Sequence, residues 1–208
     1  MAEQAHILCV DDEPRVLEGL VLNLHRNYRV STATSGQAGL EIVKREPPPA
    51  VVMSDMRMPE MDGAAFLAQV REYAPNTVRL LLTGQADLNS AIAAVNQGQV
   101  FRFLTKPCES KYLQSAIEAA VEQHRLVTAE RELLEKTLRG SLAALTEVMS
   151  LASPLIFGRA TRIKQCSAAL LALLGVPFSW ELEVALMLSQ LGCIVLTSEN
   201  NEKLYYGK

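Results

Sequence analysis

The sequence predicts an α/β fold: a doubly wound, five-stranded parallel sheet followed by a long helix and a small all-α segment. Three observations carry this. Up to about Lys106, short β-rich runs alternate with helix-length amphipathic segments, the pattern of βαβ units. Most of those runs are near-continuous apolar stretches, as expected when helices cover both faces of a parallel sheet. From Glu109 to Ala152 there is no proline and a single glycine, Gly140, so one long helix is the natural expectation.

In chain order, strands are predicted at His6–Val10, Tyr28–Ala33, Ala50–Ser54, Val78–Thr83 and Val100–Thr105. Pro14 suits the first turn of a helix running to about Asn27. A second helix runs from near Ser35 until the prolines Pro47–Pro49 force a stop, and two more fit Ala64–Tyr73 and Leu88–Gln97. In the long helix, alternate steps of four and three from Leu113 trace a heptad seam through Ile117, Ala120, His124, Val127, Arg131, Leu134, Leu138, Ser141, Leu145, Val148 and Ala152. Nine of these twelve positions are apolar. A helix over 109–152 would extend ~66 Å, beyond a small domain, so its far end needs a partner helix or must fold back. A parallel homodimer through this helix is the favoured outcome; two helices kinked near Gly140 are the alternative. Beyond Ser153 the pattern is helical at Arg159–Leu174 and Glu181–Leu191, broken at Gly175-Val176-Pro177. The expected organisation is a domain over 1–125, a long helical linker over 109–152 and a helical segment over 153–208.

Composition excludes several classes of function. With 208 residues, 49% hydrophobic and 21% charged, a sizeable core can form. Lys plus Arg number 20 against 23 Asp plus Glu, a formal charge of −3 that gives no global case for binding nucleic acid or an anionic membrane. Charge over 153–208 is also balanced, which argues against a DNA-reading helix. Cys9, Cys108, Cys166 and Cys193 lie far apart, without zinc-ligand spacing, and fit reduced thiols. The opening residues carry no basic leader, and the longest apolar stretch, Ala168–Phe178, falls short of the ~18 residues of a membrane span. A cytoplasmic protein is expected, with neither membrane nor nucleic acid as partner.

In an open parallel sheet, ligands bind beyond the carboxyl ends of the strands. Strand one ends in Asp11-Asp12, strand three in Asp55, strand four in Thr83, and strand five in Lys106 followed by Pro107. Three carboxylates, a hydroxyl and an ammonium are therefore expected in one pocket. Each like-charged pair at 4–5 Å would repel by ~3–4 kcal/mol at an effective dielectric near 20. Either one acid stays protonated or a divalent cation binds, and an all-oxygen site suits Mg²⁺. A carboxylate beside Mg²⁺ can attack a phosphoryl group in line. Taken singly, each acid is more often a helix cap or a solvated loop residue; the joint pattern changes the odds.

The motifs VDDEP, SDMRMPEMDG, LLTGQ and FRFLTKP, following strands one, three, four and five, resemble the receiver domain of two-component response regulators over residues 5–125. The resemblance implies a flavodoxin-like fold and a phosphorelay function. On it, Asp55 is the phosphoacceptor, served by a sensor histidine kinase or a phosphotransfer protein. Asp12, the Asp55 side chain and the backbone carbonyl of Arg57 would ligate Mg²⁺, with Asp11 acting largely through a water. Thr83 and Lys106 match the family's phosphate-sensing pair and Phe103 its switching aromatic. The Lys106–Pro107 bond is expected to be cis, and Gly63 fits a tight turn before the third helix. Phosphorylation adds about −1.5 to −2 charge, draws in Thr83 and Lys106, and would pass the change along the long helix.

The segment GRATRI at Gly158–Ile163, with ALMLSQLGCIVL at Ala185–Leu196, is similar to the opening of HD-type phosphohydrolase domains, including HD-GYP cyclic-di-GMP phosphodiesterases. Here Arg159 stands at the first histidine position, Ser189-Gln190 replaces His-Asp, and Cys193 replaces a lysine. Arg, Ser and Gln cannot serve as transition-metal ligands there. The expectation is a degenerate, truncated HD-like segment used for contacts, with no output catalysis; a generic dimerisation segment is the other reading. An active phosphodiesterase and a transcription factor are the competing functions. An aspartate-nucleophile phosphatase of dehalogenase type would instead place a DxD pair after its first strand.

Overall fold

The computed structural model describes residues 4–45, 47–84, 100–152 and 154–189, with single positions at 92, 200 and 203. Two compact units are present, Met1–Arg131 and Glu132–Lys208. In the first, strands β1 (His6–Val10), β2 (Arg29–Ala33), β3 (Val51–Asp55), β4 (Val78–Thr83) and β5 (Arg102–Thr105) form one sheet in the order β2-β1-β3-β4-β5. Every pairing is parallel. The fold class expected from the sequence is therefore the one observed. β3 is buried at all five positions, whereas the edge strands β2 and β5 each carry two exposed residues.

Helices α1 (Pro14–Leu24), α2 (Gly36–Val43) and α3 (Gly63–Tyr73) connect the strands. Their starts follow local chemistry. Pro14 opens α1, the Ser35 hydroxyl accepts the Ala38 N–H, and the Asp62 carboxylate accepts the Ala65 N–H at 2.7 Å. The first helix stops three residues before the expected Asn27: the Asn27 and Tyr28 N–H groups both bond to the Leu24 carbonyl. The helix expected at Leu88–Gln97 lies outside the described residues, apart from a helical Ile92.

Period-two alternation along each strand makes two cores. On one face Ile7, Cys9, Val51, Met53, Leu80 and Leu82 pack with Leu17, Leu20 and Leu24 of α1. On the other, Leu8, Val10, Val52 and Leu81 pack with Leu40 and Val43 of α2 and Phe66, Leu67 and Val70 of α3. The first core also contains Leu113, Ala116, Ile117 and Ala120, from the first turns of helix α4 (Ser110–Ala152). The heptad seam thus divides. Leu113, Ile117 and Ala120 are core residues of the first unit, whereas Leu134, Leu138, Leu145 and Val148 are 47–63% exposed. Helix α4 continues through Gly140, where the methyl of an alanine would meet nothing within 4 Å.

In the second unit α5 (Pro154–Leu173) and α6 (Trp180–Leu188) follow α4. α5 begins five residues before the expected Arg159, because Pro154 is compatible with a first helical turn. No helix among the described residues is long and apolar enough to cross a membrane.

Two histidines make stability depend on pH. Burial lowers the pKa of His6 below the ordinary 6.5, helped by Arg29, and burial lowers that of His124. The His6 ring Nε2 lies 2.8 Å from the Ser31 hydroxyl. The unfolded chain therefore binds protons more readily than the folded one just below pH 6.5. Their contribution is complete above that pH and is lost as pH falls through the folded-state values. The thermal midpoint of a His124→Gln variant is expected to fall less between pH 7.5 and 5.5 than that of the wild type; an equal fall would refute the assignment.

Candidate functional site: a carboxylate and lysine cluster at the strand ends

Four strands end at one place. Asp11 follows β1, Asp55 closes β3, Thr83 closes β4, and Lys106 follows β5, so parallel pairing puts their polar groups at the carboxyl edge of the sheet. The order β2-β1-β3 sends the chain to opposite sides after β1 and β3, opening a crevice between these neighbours.

The Lys106 ammonium bridges two acids, 2.7 Å from Asp11 Oδ2 and 2.5 Å from Asp55 Oδ1. The Asp11 side chain is fully buried and that of Asp55 is 10% exposed, so the pairing is shielded from solvent on the acid side. The second oxygen of each acid is also engaged: Asp11 Oδ1 accepts the Glu13 N–H at 3.0 Å and Asp55 Oδ2 the Arg57 N–H at 2.8 Å. Burial alone would lower the lysine pKa, but hydrogen bonds and charge from Asp11 and Asp55 outweigh it and hold the ammonium above its ordinary 10.5. By linkage, that stabilisation is complete below the ordinary value and is lost as pH rises through the folded-state one.

Asp12 is exposed, and its carboxylate has no partner among the described residues. Thr83 is fully buried, its hydroxyl donating to the Gly84 carbonyl at 3.1 Å. The Thr83 carbonyl accepts the Lys106 N–H at 2.8 Å, tying β4 to the lysine through backbone. Phe103 sits on β5 opposite Leu81, half-buried against the α2–α3 core. Arg57 is exposed on the loop after Asp55, and the Lys106–Pro107 bond is cis. Arg159 lies in α5, Ser189 caps α6 with its hydroxyl on the Leu186 carbonyl, and Gln190 lies outside the described residues.

Gly63 has a different role from the turn expected of it. A methyl there would lie 2.0 Å from the Asp55 carbonyl oxygen, so only glycine lets the start of α3 meet the end of β3. The Gly63 N–H bonds to the Met56 carbonyl at 2.9 Å. Sequence reasoning missed Ser54, whose buried hydroxyl donates to the Asp55 carbonyl at 2.9 Å, and the Glu13 amide that fixes Asp11. A serine inside an apolar strand run was the available signal for the first; no side-chain signal marks a backbone amide.

Mg²⁺ fits the donor set. The ion is held through oxygens, needs only one or two carboxylates, and keeps several waters. Asp11 and Asp55 share the single ammonium of Lys106, which leaves one carboxylate charge uncompensated, and the exposed Asp12 follows Asp11 in the chain. Among the described residues no group of three or more His, Cys, Asp or Glu side chains is arranged to enclose a metal.

Residues 7–118 match the family described as response regulator receiver domain. Over 128 residues, 61% of this chain, the sequence is 43% identical to the transcriptional regulatory protein GlrR of Escherichia coli (strain K12), and that match spans 28% of GlrR. A solved structure described as adenylate cyclase from Rhodopirellula baltica shares 45% identity at a TM-score of 0.63, over 64% of this chain and 98% of that one. The signal receiver domain of an HD domain-containing protein from Pseudomonas fluorescens Pf-5 shares 32% identity at a TM-score of 0.57, over 64% and 95% of the two chains. With the family match covering more than half of its length and the acid–lysine cluster in place, the chain belongs to the response regulator receiver family.

Proposed function

We propose that this chain is a phosphorelay switch that accepts a phosphoryl group on Asp55 from a histidine kinase or phosphotransfer protein. The observation that carries the reading is the Lys106 bridge between Asp11 and Asp55, a preformed cation beside a buried carboxylate nucleophile. In the transfer, an Asp55 carboxylate oxygen bonds to phosphorus as the phosphorus–nitrogen bond of the donor breaks. Mg²⁺, held by Asp12, Asp55 and the Arg57 carbonyl with Asp11 acting through water, would offset charge on the phosphoryl oxygens. Lys106 neutralises one carboxylate, and its hold on Asp11 gives way as the new anion recruits it. The Thr83 hydroxyl, now on Gly84, is the donor available to turn toward the phosphoryl group, leaving room for Phe103 to move inward.

The change would pass along α4, whose first turns are part of the receiver core, to a C-terminal unit working through contacts rather than catalysis. A homodimer seam over the far part of the heptad pattern fits the exposed Leu134, Leu138, Leu145 and Val148 of α4. The HD-like reading of 153–208 rests on the sequence alone, since the family match ends at 118. A second output, gene regulation, is suggested by relatives such as GlrR, of which this chain matches 28%. Salt-dependent binding to duplex DNA would support that output.

Intact mass after treatment with a small acyl phosphate and Mg²⁺ tests the core of the proposal. The wild type is expected to gain one phosphoryl group, and Asp55→Asn none. A variant that still gains it at the same rate sinks the assignment; chelation of Mg²⁺ is expected to slow the wild type.

A further inference from the structure

The C-terminal unit carries apolar surface that its described residues do not cover. Among the side chains described over 132–189, only Ala160 is buried. α6 (WELEVALML) has seven apolar residues of nine, yet none is buried. A helix apolar around most of its circumference is normally enclosed. At the end of α5 and in the turn after it, Leu170, Leu173, Leu174 and Val176 are 58, 86, 65 and 48% exposed.

The two helices form a defined hairpin. Gly175, at φ 68°, ends α5 in the left-handed conformation, with the Val176 N–H on the Leu171 carbonyl at 3.0 Å. Ser179 caps α6, and Lys164 is ion-paired with Glu183 across the hairpin. Charge is sorted between its arms. α5 carries Arg159, Arg162 and Lys164 with no acid, while α6 carries Glu181 and Glu183, both in its first turn, with no base.

We propose that the α5–α6 hairpin is a homotypic contact surface whose occupant is the same hairpin of a second copy, with the basic α5 of each facing the acidic start of α6 of the other. Charge sorting selects this occupant. Lys164 and Glu183 are paired within one hairpin, and a two-fold interface repeats each contact, so Arg159 of each copy can meet Glu181 of the other, whereas a uniformly basic or acidic partner would meet one of these residues with like charge. Removal of the exposed leucines and of α6 from water supplies the attraction, and the charges fix the register. The surface is separate from the α4 seam and shares with that reading only the need for a second copy.

Sedimentation equilibrium of the full chain tests this by charge exchange. Arg159→Glu and Glu181→Lys are each expected to weaken self-association roughly ten-fold at low salt, because each reversal acts twice in a symmetric pair. A one-to-one mixture should recover the wild-type affinity, since only the mixed pair restores opposite charges at both contacts. Far-UV circular dichroism and phosphoryl uptake at Asp55 serve as folding controls. Reversals without effect, or a mixture no tighter than either variant alone, would overturn the proposal. So would a wild-type chain that stays monomeric while amide exchange shows the hairpin protected, because residues 190–208 would then be its cover. Leu138→Lys in α4 separates the two surfaces: if it leaves association intact while the charge exchange behaves as expected, the hairpin holds and the seam falls. If Leu138→Lys abolishes association and the reversals do nothing, the hairpin falls.

Discussion

Gly63→Ala is expected to destabilise the receiver unit by about 4 kcal/mol or more, in the range reserved for substitutions the backbone cannot absorb. The added methyl would stand 2.0 Å from the Asp55 carbonyl oxygen and 3.0 Å from Leu81 Cδ1, where carbon and oxygen normally keep at least about 3.3 Å apart. Neither neighbour can yield cheaply. The carbonyl belongs to the last residue of a fully buried strand and already accepts the Ser54 hydroxyl, while α3 is anchored by Phe66, Leu67 and Val70, all fully buried. Relief would have to come from sliding the start of α3, which breaks the Gly63 to Met56 hydrogen bond, or from moving Asp55 itself. Denaturant unfolding checks the magnitude, and phosphoryl uptake on whatever remains folded checks the displacement of Asp55. A wild-type midpoint for Gly63→Ala would mean that α3 and β3 do not approach in this way.

Lys106→Met has the second largest expected effect. It leaves Asp11 and Asp55 facing each other without their shared cation, one fully buried and the other nearly so. Removing one partner of a buried ion pair costs about 3–5 kcal/mol; the lysine side chain is 28% exposed, so solvent screening reduces the expectation to about 2–3 kcal/mol. Adding Asp11→Asn removes the repulsion, and the double variant should be less destabilised than the sum of the single changes. Millimolar Mg²⁺ should raise the thermal midpoint of Lys106→Met more than that of the wild type, because the ion then stands in for the charge that the lysine supplied. Strictly additive losses, or equal Mg²⁺ shifts, would show that the lysine does not hold the two acids together.

The receiver was legible because its signals are local and redundant. β1 and β4 lie at the bounds that their apolar runs gave, and the strand-end acids follow once a parallel sheet is accepted. Asp11 was harder to place. Adjacent aspartates differ only in which one the strand's pleat turns inward, and the structure buries Asp11 against Lys106 while leaving Asp12 in solvent. The pairing joins residues 95 positions apart, and spacing does not encode which acid of a pair a distant lysine will reach. The heptad seam divides between core and solvent for a related reason. Leu113, Ile117 and Ala120 obey the same periodicity as the positions beyond them, because a helix face looks alike whether it packs on its own sheet or on a neighbouring chain. Gly63 was noticed as a turn former, whereas its need comes from a tertiary contact.

Helix α4 begins in the receiver unit and continues past Arg131 as helix, so residues added there extend a helix rather than a loop. One residue inserted beyond Arg131 would turn everything downstream by about 100°, whereas seven would bring it back to within roughly 20°. If the proposed signal travels along α4, an insertion series is expected to give a response to phosphorylation that repeats with the helical period, so that the phase of the helix is part of the message.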